Sequence, residues 1–224
     1  NRTGDAVFDG TLRQGLAVQL QQSPFLSLLS DERILKTLRL MGQSADARLT
    51  PQFANEICER TGSAAVLEGS IASLGTQYVL GLRAKNCRTG DILDEEQVQA
   101  VRKEDVLNAL SQIATKFRTR VGESLATVKQ HSTPLAEATT TSLEALKAYS
   151  MGWKVLTSSG PAASLPLFKR ATETDPGFAT AHAWLAWRYV ETGDLGLAKE
   201  SMITAGKLRG RHSYQKQFLM DFSY

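Results

Sequence analysis

The feature that most constrains this chain is a 34-residue repeat that begins after Ser142. A first copy runs over 145–178, and a second starts at Ala179. Small residues, Gly152 and then Ala186, recur where two helices of a pair would cross closely. The second helix of each pair recurs in the same frame, with Phe168 and Ala171 followed by Met202 and Ala205. A unit of this length can bury its apolar side only against its neighbours, so the period predicts stacked helical hairpins.

Turn signals divide this region at the intervals that such hairpins need. Pro176-Gly177 closes the first copy, and Thr192-Gly193-Asp194 separates two helices in the second. In the order of small, bulky and turn residues, the stretch 142–211 resembles the tetratricopeptide (TPR) family. The resemblance implies that the first helix of each hairpin lines a concave groove that holds an extended peptide or a partner helix. Pro166 departs from the ideal pattern, although a proline near a helix start is tolerated.

Mapping the resemblance onto this chain places four residues in the groove: Tyr149, Trp153, Trp187 and Glu191. The two tryptophans stand one period apart, and large amphipathic rings often anchor interfaces. Alternatively, the same rings cover the neighbouring domain or a third repeat. The sequence leaves both interpretations open.

The first 130 residues mix helical and strand patterns. Apolar residues at helical spacing, with capping residues at their ends, predict helices over 8–20, 31–41, 51–62 and 103–128. The short apolar run Phe25–Leu29 predicts a strand. Alternation and intervening turns predict a three-stranded meander over 64–73, 78–87 and 92–101.

The resulting fold class is an α+β amino-terminal domain, with helices on a mostly antiparallel sheet, followed by an all-α array of TPR-like hairpins. We predict the α/β domain over 1–130 and a linker over 131–141, where apolar periodicity is lost. The remaining 142–224 would hold about two repeats and the start of a third, because 215–224 reads as the beginning of another helix.

Three segments of the first domain carry a second resemblance, namely Thr61–Ser70, Tyr78–Ala84 and Thr89–Leu93. They resemble the TolB amino-terminal-like α/β module that precedes TPR repeats in bacterial signalling proteins. The likeness implies the sensor part of a membrane-anchored serine/threonine kinase, on the extracytoplasmic side. A winged-helix transcriptional regulator or a nucleotide cyclase is the alternative parent, and a cytoplasmic location is the alternative compartment. The resemblance also makes Asn1–Asp5 the loop after a first strand that is absent from this chain.

The familiar sequence motifs of catalysis and cofactor binding do not occur in this chain. The histidines His131, His182 and His212 are far apart and lack metal-ligand spacing to Cys, Asp or Glu. The segment 69–75 lacks the Gly-Lys-Ser/Thr ending of a phosphate loop, and the carboxylates of 94–96 have no acid/base partner in view. We therefore expect no enzyme activity, cofactor or metal in this chain, although an unrecognised active site is a further alternative.

The charge balance and hydropathy also bear on the partners. The net charge is +3, which by itself is too small to indicate nucleic-acid binding, although a basic carboxy-terminal end keeps a DNA-binding regulator as the runner-up. Apolar runs stay well short of the roughly 20 residues that span a bilayer, so we expect no direct membrane contact. The expected partner is a protein or peptide in the groove, or a second copy of the chain.

The two cysteines allow a disulfide. Cys58 lies in the last turn of a predicted helix, and folding the hairpin about Gly75-Thr76 places Cys87 opposite residue 63 or 64. A bond between them would contribute about 3 kcal/mol by loop entropy and favour an extracytoplasmic location. The other interpretation is a pair of buried thiols acting as small apolar groups.

Overall fold

The computed structural model describes residues 1–44, 47 and 49–209. The helices are α1 (Thr11–Leu20), α2 (Asp31–Leu40), α3 (Pro51–Thr61), α4 (Val106–Arg120), α5 (Leu125–Gln130), α6 (Leu135–Ala138), α7 (Leu143–Ser159), α8 (Pro161–Thr174), α9 (Ala179–Thr192) and α10 (Leu195–Arg209). The strands are β1 (Ala65–Leu74), β2 (Gln77–Asn86) and β3 (Ile92–Ala100), and short 3-10 turns cover Ala6–Phe8 and Lys103–Asp105. The helix start predicted over 215–224 lies outside the described residues.

The chain divides into two compact units. The first, which we call the sheet unit, comprises Asn1–Asp5 and Leu16–Ser132. The second, the helical unit, comprises Ala6–Gly15 and the residues from Thr133 onward. The predicted coarse fold class is confirmed, because an α+β part with an antiparallel sheet is followed by a helical part. The short helix α6 lies within the segment that we predicted as a linker.

The sheet is an antiparallel meander in the order β1-β2-β3. A two-residue turn at Gly75-Thr76 joins β1 to β2, and Gly75 takes the positive φ of 63° that this tight turn requires. Alternate residues of β2, Leu80, Leu82 and Ala84, are buried, and α4 packs against β2 and β3. The predictions for the three strands of the meander are therefore correct to within about one residue at each end.

The long predicted helix over 103–128 is interrupted. Helix α4 ends at Arg120, Gly122 takes a φ of 99°, and the Ser124 hydroxyl then caps α5 by accepting from the Thr127 amide. A glycine with positive φ followed by a capping serine ends one helix and starts another. The prediction of one continuous helix is wrong for this reason.

The predicted strand at Phe25–Leu29 is also wrong. These residues form no regular element, and the Phe25 side chain is 72% exposed. A strand needs a hydrogen-bonding neighbour, and this five-residue apolar run after Pro24 has none among the described strands.

Most of the described part of the helical unit is two helical hairpins. Gly160 joins α7 to α8 with a φ of 87°, and α9 and α10 form the second pair. Helix α8 also packs against α9, which links one hairpin to the next. Gly152 of α7 faces the Phe168 ring so closely that an added Cβ would lie 3.0 Å from it. Both Gly152 and Ala186 are buried, as the repeat pattern predicts.

A buried ion pair organises the end of the sheet unit. Arg118 donates from Nε and Nη2 to the Glu123 carboxylate, at 2.9 and 2.5 Å. The Ser23 hydroxyl donates to the same carboxylate at 2.7 Å. Arg118 Nη1 completes the network by donating to the His131 carbonyl and to the Ser132 hydroxyl, both at 3.0 Å. The loop after α4 is thereby fixed by charge-assisted hydrogen bonds.

Candidate interaction surface on the helical unit

An aromatic cluster fills the space between the two hairpins. The Trp153 ring of α7 lies 4.2 Å from the Trp184 ring of α9, centroid to centroid, in an edge-on arrangement. Phe168 of α8 stacks at 6.4 Å on Trp184, and Tyr149 meets Phe168 edge-on at 5.6 Å. Such offset and edge-on pairs are the favoured geometries of aromatic rings. The cluster is a packed core that ties α7, α8 and α9 together.

The four residues that the TPR resemblance placed in the groove therefore have different environments. Tyr149 is buried in the aromatic cluster, and burial raises the pKa of its hydroxyl. Trp153 is half-buried, with its ring against Trp184. Trp187 is 44% exposed, and Glu191 lies one helical turn farther along α9 with an exposed side chain. Of the four residues, Trp187 and Glu191 are therefore the two that are exposed to solvent.

The exposed part of α9 extends beyond these two residues. Val190, one turn after Trp187, is 47% exposed. On a helix, residues three and four apart share a face, so Trp187, Val190 and Glu191 form one strip, which we call the α9 strip. The strip combines an aromatic ring, an aliphatic side chain and a carboxylate on one exposed face of α9.

Arg188 is a functional candidate that the sequence patterns did not reveal. It is only 4% exposed, and its guanidinium carbon lies 5.5 Å from the centroid of the Trp184 ring. Arg188 Nε lies 3.0 Å from a carboxylate oxygen of Glu191. The signal was present in the spacing, because Arg188 follows the buried Trp184 by four residues and precedes Glu191 by three.

The structure brings the two cysteines together. Cys58, in the last turn of α3, and Cys87, just after β2, form a disulfide with their Cα atoms 5.8 Å apart. The Cys87 amide donates to the Ala64 carbonyl at 3.2 Å, which is the register expected from folding the hairpin about Gly75-Thr76. Both cysteines are buried, so the bond lies inside the sheet unit.

A metal site requires grouped ligands, and a cofactor site requires a pocket of sufficient size. In 1–44, 47 and 49–209, no three His, Cys, Asp or Glu residues are grouped so that they could hold a metal ion. A cavity of about 100 Å³ borders Asp175, whose carboxylate accepts from the Thr140 hydroxyl. Ligand pockets measure roughly 300–1,000 Å³, so this one is too small for a cofactor. Within the same ranges, no helix has both the length and the apolar character to cross a bilayer.

No protein-family model, curated protein or solved structure matches this chain.

Proposed function

We propose that this chain is a non-catalytic protein-interaction fragment of a bacterial signalling protein, and that its helical unit is a TPR-type array. The spacing of the second helices supports the repeat, because α8 starts at Pro161 and α10 at Leu195, which is 34 residues later. The burial of Gly152 against Phe168 supports it as well, since close helix crossing is what the pattern demands.

The exposure of Trp187 carries the proposal. In the cluster that joins the hairpins, Tyr149, Phe168 and Trp184 are buried, whereas Trp187 presents its ring to solvent beside Val190 and Glu191. Leaving a large ring in water forgoes the free energy of burying it, about 1.5–3 kcal/mol for a large apolar side chain. Trp is also enriched among residues that dominate binding energy. An extended segment of a partner protein that covers the α9 strip would recover this free energy.

Selection of peptides from a displayed library on the immobilised chain tests the proposal. Binders are measured by fluorescence anisotropy against the parent chain and Trp187→Ala. We expect the substitution to weaken binding at least 10-fold, about 1.4 kcal/mol, because the ring is the central anchor. The matched control is Leu197→Ala, which removes an exposed apolar side chain from α10. Selected peptides that bind Trp187→Ala as tightly as the parent would refute the α9 strip as the binding surface.

We also propose that the parent is a membrane-anchored serine/threonine kinase with this chain on the extracytoplasmic side. The alternative is the effector domain of a winged-helix regulator or of a nucleotide cyclase. The Cys58–Cys87 disulfide supports an oxidising compartment, because cytosolic thiols stay reduced. Thiol trapping in living cells, before lysis, tests the location. Two alkylated thiols per chain in the native host would place the protein in the cytoplasm.

A further inference from the structure

Arg188 has an unusual environment for a cation. Among the described residues, its Nε and Nη1 atoms are buried without a hydrogen-bond partner. Burial lowers the pKa of the Arg188 guanidinium, and the nearby Glu191 charge opposes this change. Removing a guanidinium from water carries a large free-energy cost unless acceptors replace the solvent.

Two contacts offset this cost in part. The Trp184 ring lies under the guanidinium carbon at 5.5 Å, within the range of a cation–π interaction. Glu191 supplies the one ion pair that the structure describes for Arg188, at 3.0 Å from Nε. The Nε–H bond is not directed at this carboxylate as a hydrogen bond requires, since the atom stays unsatisfied. The pair is thus close but poorly aligned, and Nη1 gains nothing from it.

The carboxylate beside this cation is partly exposed to solvent. The Glu191 side chain is 39% exposed, whereas the Arg188 side chain is 4% exposed and lies over the Trp184 ring of the same helix. Arginine presents its donors as a rigid planar fork that matches a carboxylate through two parallel hydrogen bonds. A second carboxylate could reach the guanidinium once Glu191 swings out to solvent.

The position of the pair connects it to the α9 strip. Glu191 lies one turn after Trp187 on the same face of the helix, so a segment that covers Trp187 also meets Glu191. A carboxylate on that segment would be placed beside the cation that Glu191 now occupies.

We propose that Arg188 is the recognition residue for a carboxylate of the partner segment, and that Glu191 occupies the guanidinium in its place until the partner binds. The inference rests on the proposed function, because it identifies the chemistry of the partner at the α9 strip. It predicts partners with an aspartate, a glutamate or a free carboxy terminus next to an apolar side chain.

Sodium acetate tests the site without a known partner. It is titrated at constant ionic strength against sodium chloride, with acetamide as the neutral probe of the same shape. Tryptophan fluorescence is the readout, since all three tryptophans, Trp153, Trp184 and Trp187, belong to the helical unit. We expect a saturable change with acetate and none with acetamide.

Two variants assign the effect. Arg188→Met should abolish the acetate response, whereas Glu191→Gln should bind acetate at least 5-fold more tightly because the competing charge is removed. Arg170→Met, an exposed arginine of α8, is the matched control and should respond like the parent. Circular dichroism verifies that each variant folds. If Arg188→Met does not fold, the acetate affinity of Glu191→Gln still tests the site.

An unchanged acetate affinity in Glu191→Gln would overturn the inference, as would an equal response to acetamide. A saturable response to phosphate that exceeds the one to acetate would also overturn it, because the site would then prefer another anion. The peptide test and the acetate test separate this inference from the proposed function. Trp187→Ala should lose peptide binding yet keep the acetate response. Peptide binding that persists in Arg188→Met would refute the carboxylate site but not the α9 strip as the binding surface.

Discussion

At the scale of single residues, a missing side chain matters as much as those present. Gly152 lies on α7 where the Phe168 ring closes over it, and the ring in turn stacks on Trp184 of the next hairpin. A methyl group at this position would have to displace a ring that is itself confined on both sides. The glycine therefore sets the distance between two helices and between two hairpins.

Gly152→Ala should lower the free energy of unfolding of the helical unit by about 1–3 kcal/mol, because overpacking of a confined ring outweighs the better helix propensity of alanine. Urea denaturation followed by tryptophan fluorescence measures the change. The control is Gly206→Ala on α10, where nothing lies within 4 Å of the added Cβ. That variant should gain about 0.5–1 kcal/mol. Equal effects of the two substitutions would refute the packing argument.

Glu123 is the residue whose charge should make the sheet unit sensitive to acid. The Arg118 guanidinium holds the pKa of the Glu123 carboxyl below its usual range, although burial opposes the shift. A depressed folded-state pKa contributes stability that is complete above the unfolded-state pKa of about 4.3. This stability is lost as the pH falls from there through the lower folded-state pKa.

Denaturation should therefore show that the free energy of unfolding of the parent falls between pH 7 and pH 3. The free energy of unfolding of Glu123→Gln should fall only weakly over the same interval. At pH 7 the variant should be less stable by about 3–5 kcal/mol, because it leaves the buried Arg118 charge without its anion. Glu200→Gln, at an exposed position on α10, is the control and should behave as the parent does. A parent whose stability is constant across this interval would contradict the argument.

Residue environments were the hardest property to predict from the sequence. The 34-residue frame placed Tyr149 and Trp187 on one surface, yet the first is buried and the second is exposed. A repeat pattern fixes positions on helices, but burial depends on which neighbouring ring fills the space. Arg188 was missed because an isolated arginine on a helix is usually a solvated one.

At the scale of elements, local sequence signals determined which helices and strands were predicted correctly. The three strands were predicted because alternation and two turns specify both their ends, whereas Phe25–Leu29 had an apolar run but no partner to pair with. Helix α4 was predicted too long because its apolar stripe continues past the stop at Gly122. Pattern length therefore predicts the existence of an element better than its boundary.

The two sides of β1 should differ in hydrogen exchange. The two-residue turn and the bond from the Cys87 amide to the Ala64 carbonyl place the even-numbered residues of β1 in hydrogen-bonded pairs with β2. Amides of Glu68 and Ser70 should therefore exchange slowly, while those of Leu67 and Gly69 exchange faster. Residue-resolved exchange by NMR measures this alternation. Equal protection of all four amides would show that another strand pairs along the outer side of β1.

Arg2 gives a control on the outer side of β1. Its amide donates to the Ile71 carbonyl at 2.8 Å, in a parallel bridge opposite Ala72. The Arg2 amide should thus be protected although it lies close to the start of the described chain. A fast-exchanging Arg2 amide would indicate that this bridge does not persist in solution.

At the scale of the whole molecule, the order of residues along the chain differs from their grouping in space. Residues 6–15 belong to the helical unit, although the rest of that unit starts at Thr133. The 3-10 turn Ala6–Phe8 packs against α7, and Phe8 is buried there. Sequence patterns assigned this segment to the first domain because a linear pass along the chain cannot detect a contact across more than 130 residues.

Phe8→Ala should accordingly destabilise the helical unit, by about 3–5 kcal/mol, because it creates a cavity in that core. Tryptophan fluorescence reports this unit selectively, since all three tryptophans lie in it. Phe25→Ala is the matched control, because it removes the same side chain from an exposed position. If Phe8→Ala leaves the fluorescence-detected transition in place, the amino-terminal turn does not support the array.

This order of segments limits how the two units can be exchanged between related proteins. The chain enters the sheet unit at Asn1, passes to the helical unit at Ala6, returns at Leu16 within α1 and leaves again after Ser132. A chimera with a single crossover after Ser132 would take Ala6–Gly15, ten residues of the helical unit, from the other parent. The chain passes between the units three times, so functional chimeras of this architecture require three compatible junctions, and the two units should be exchanged together as one cassette.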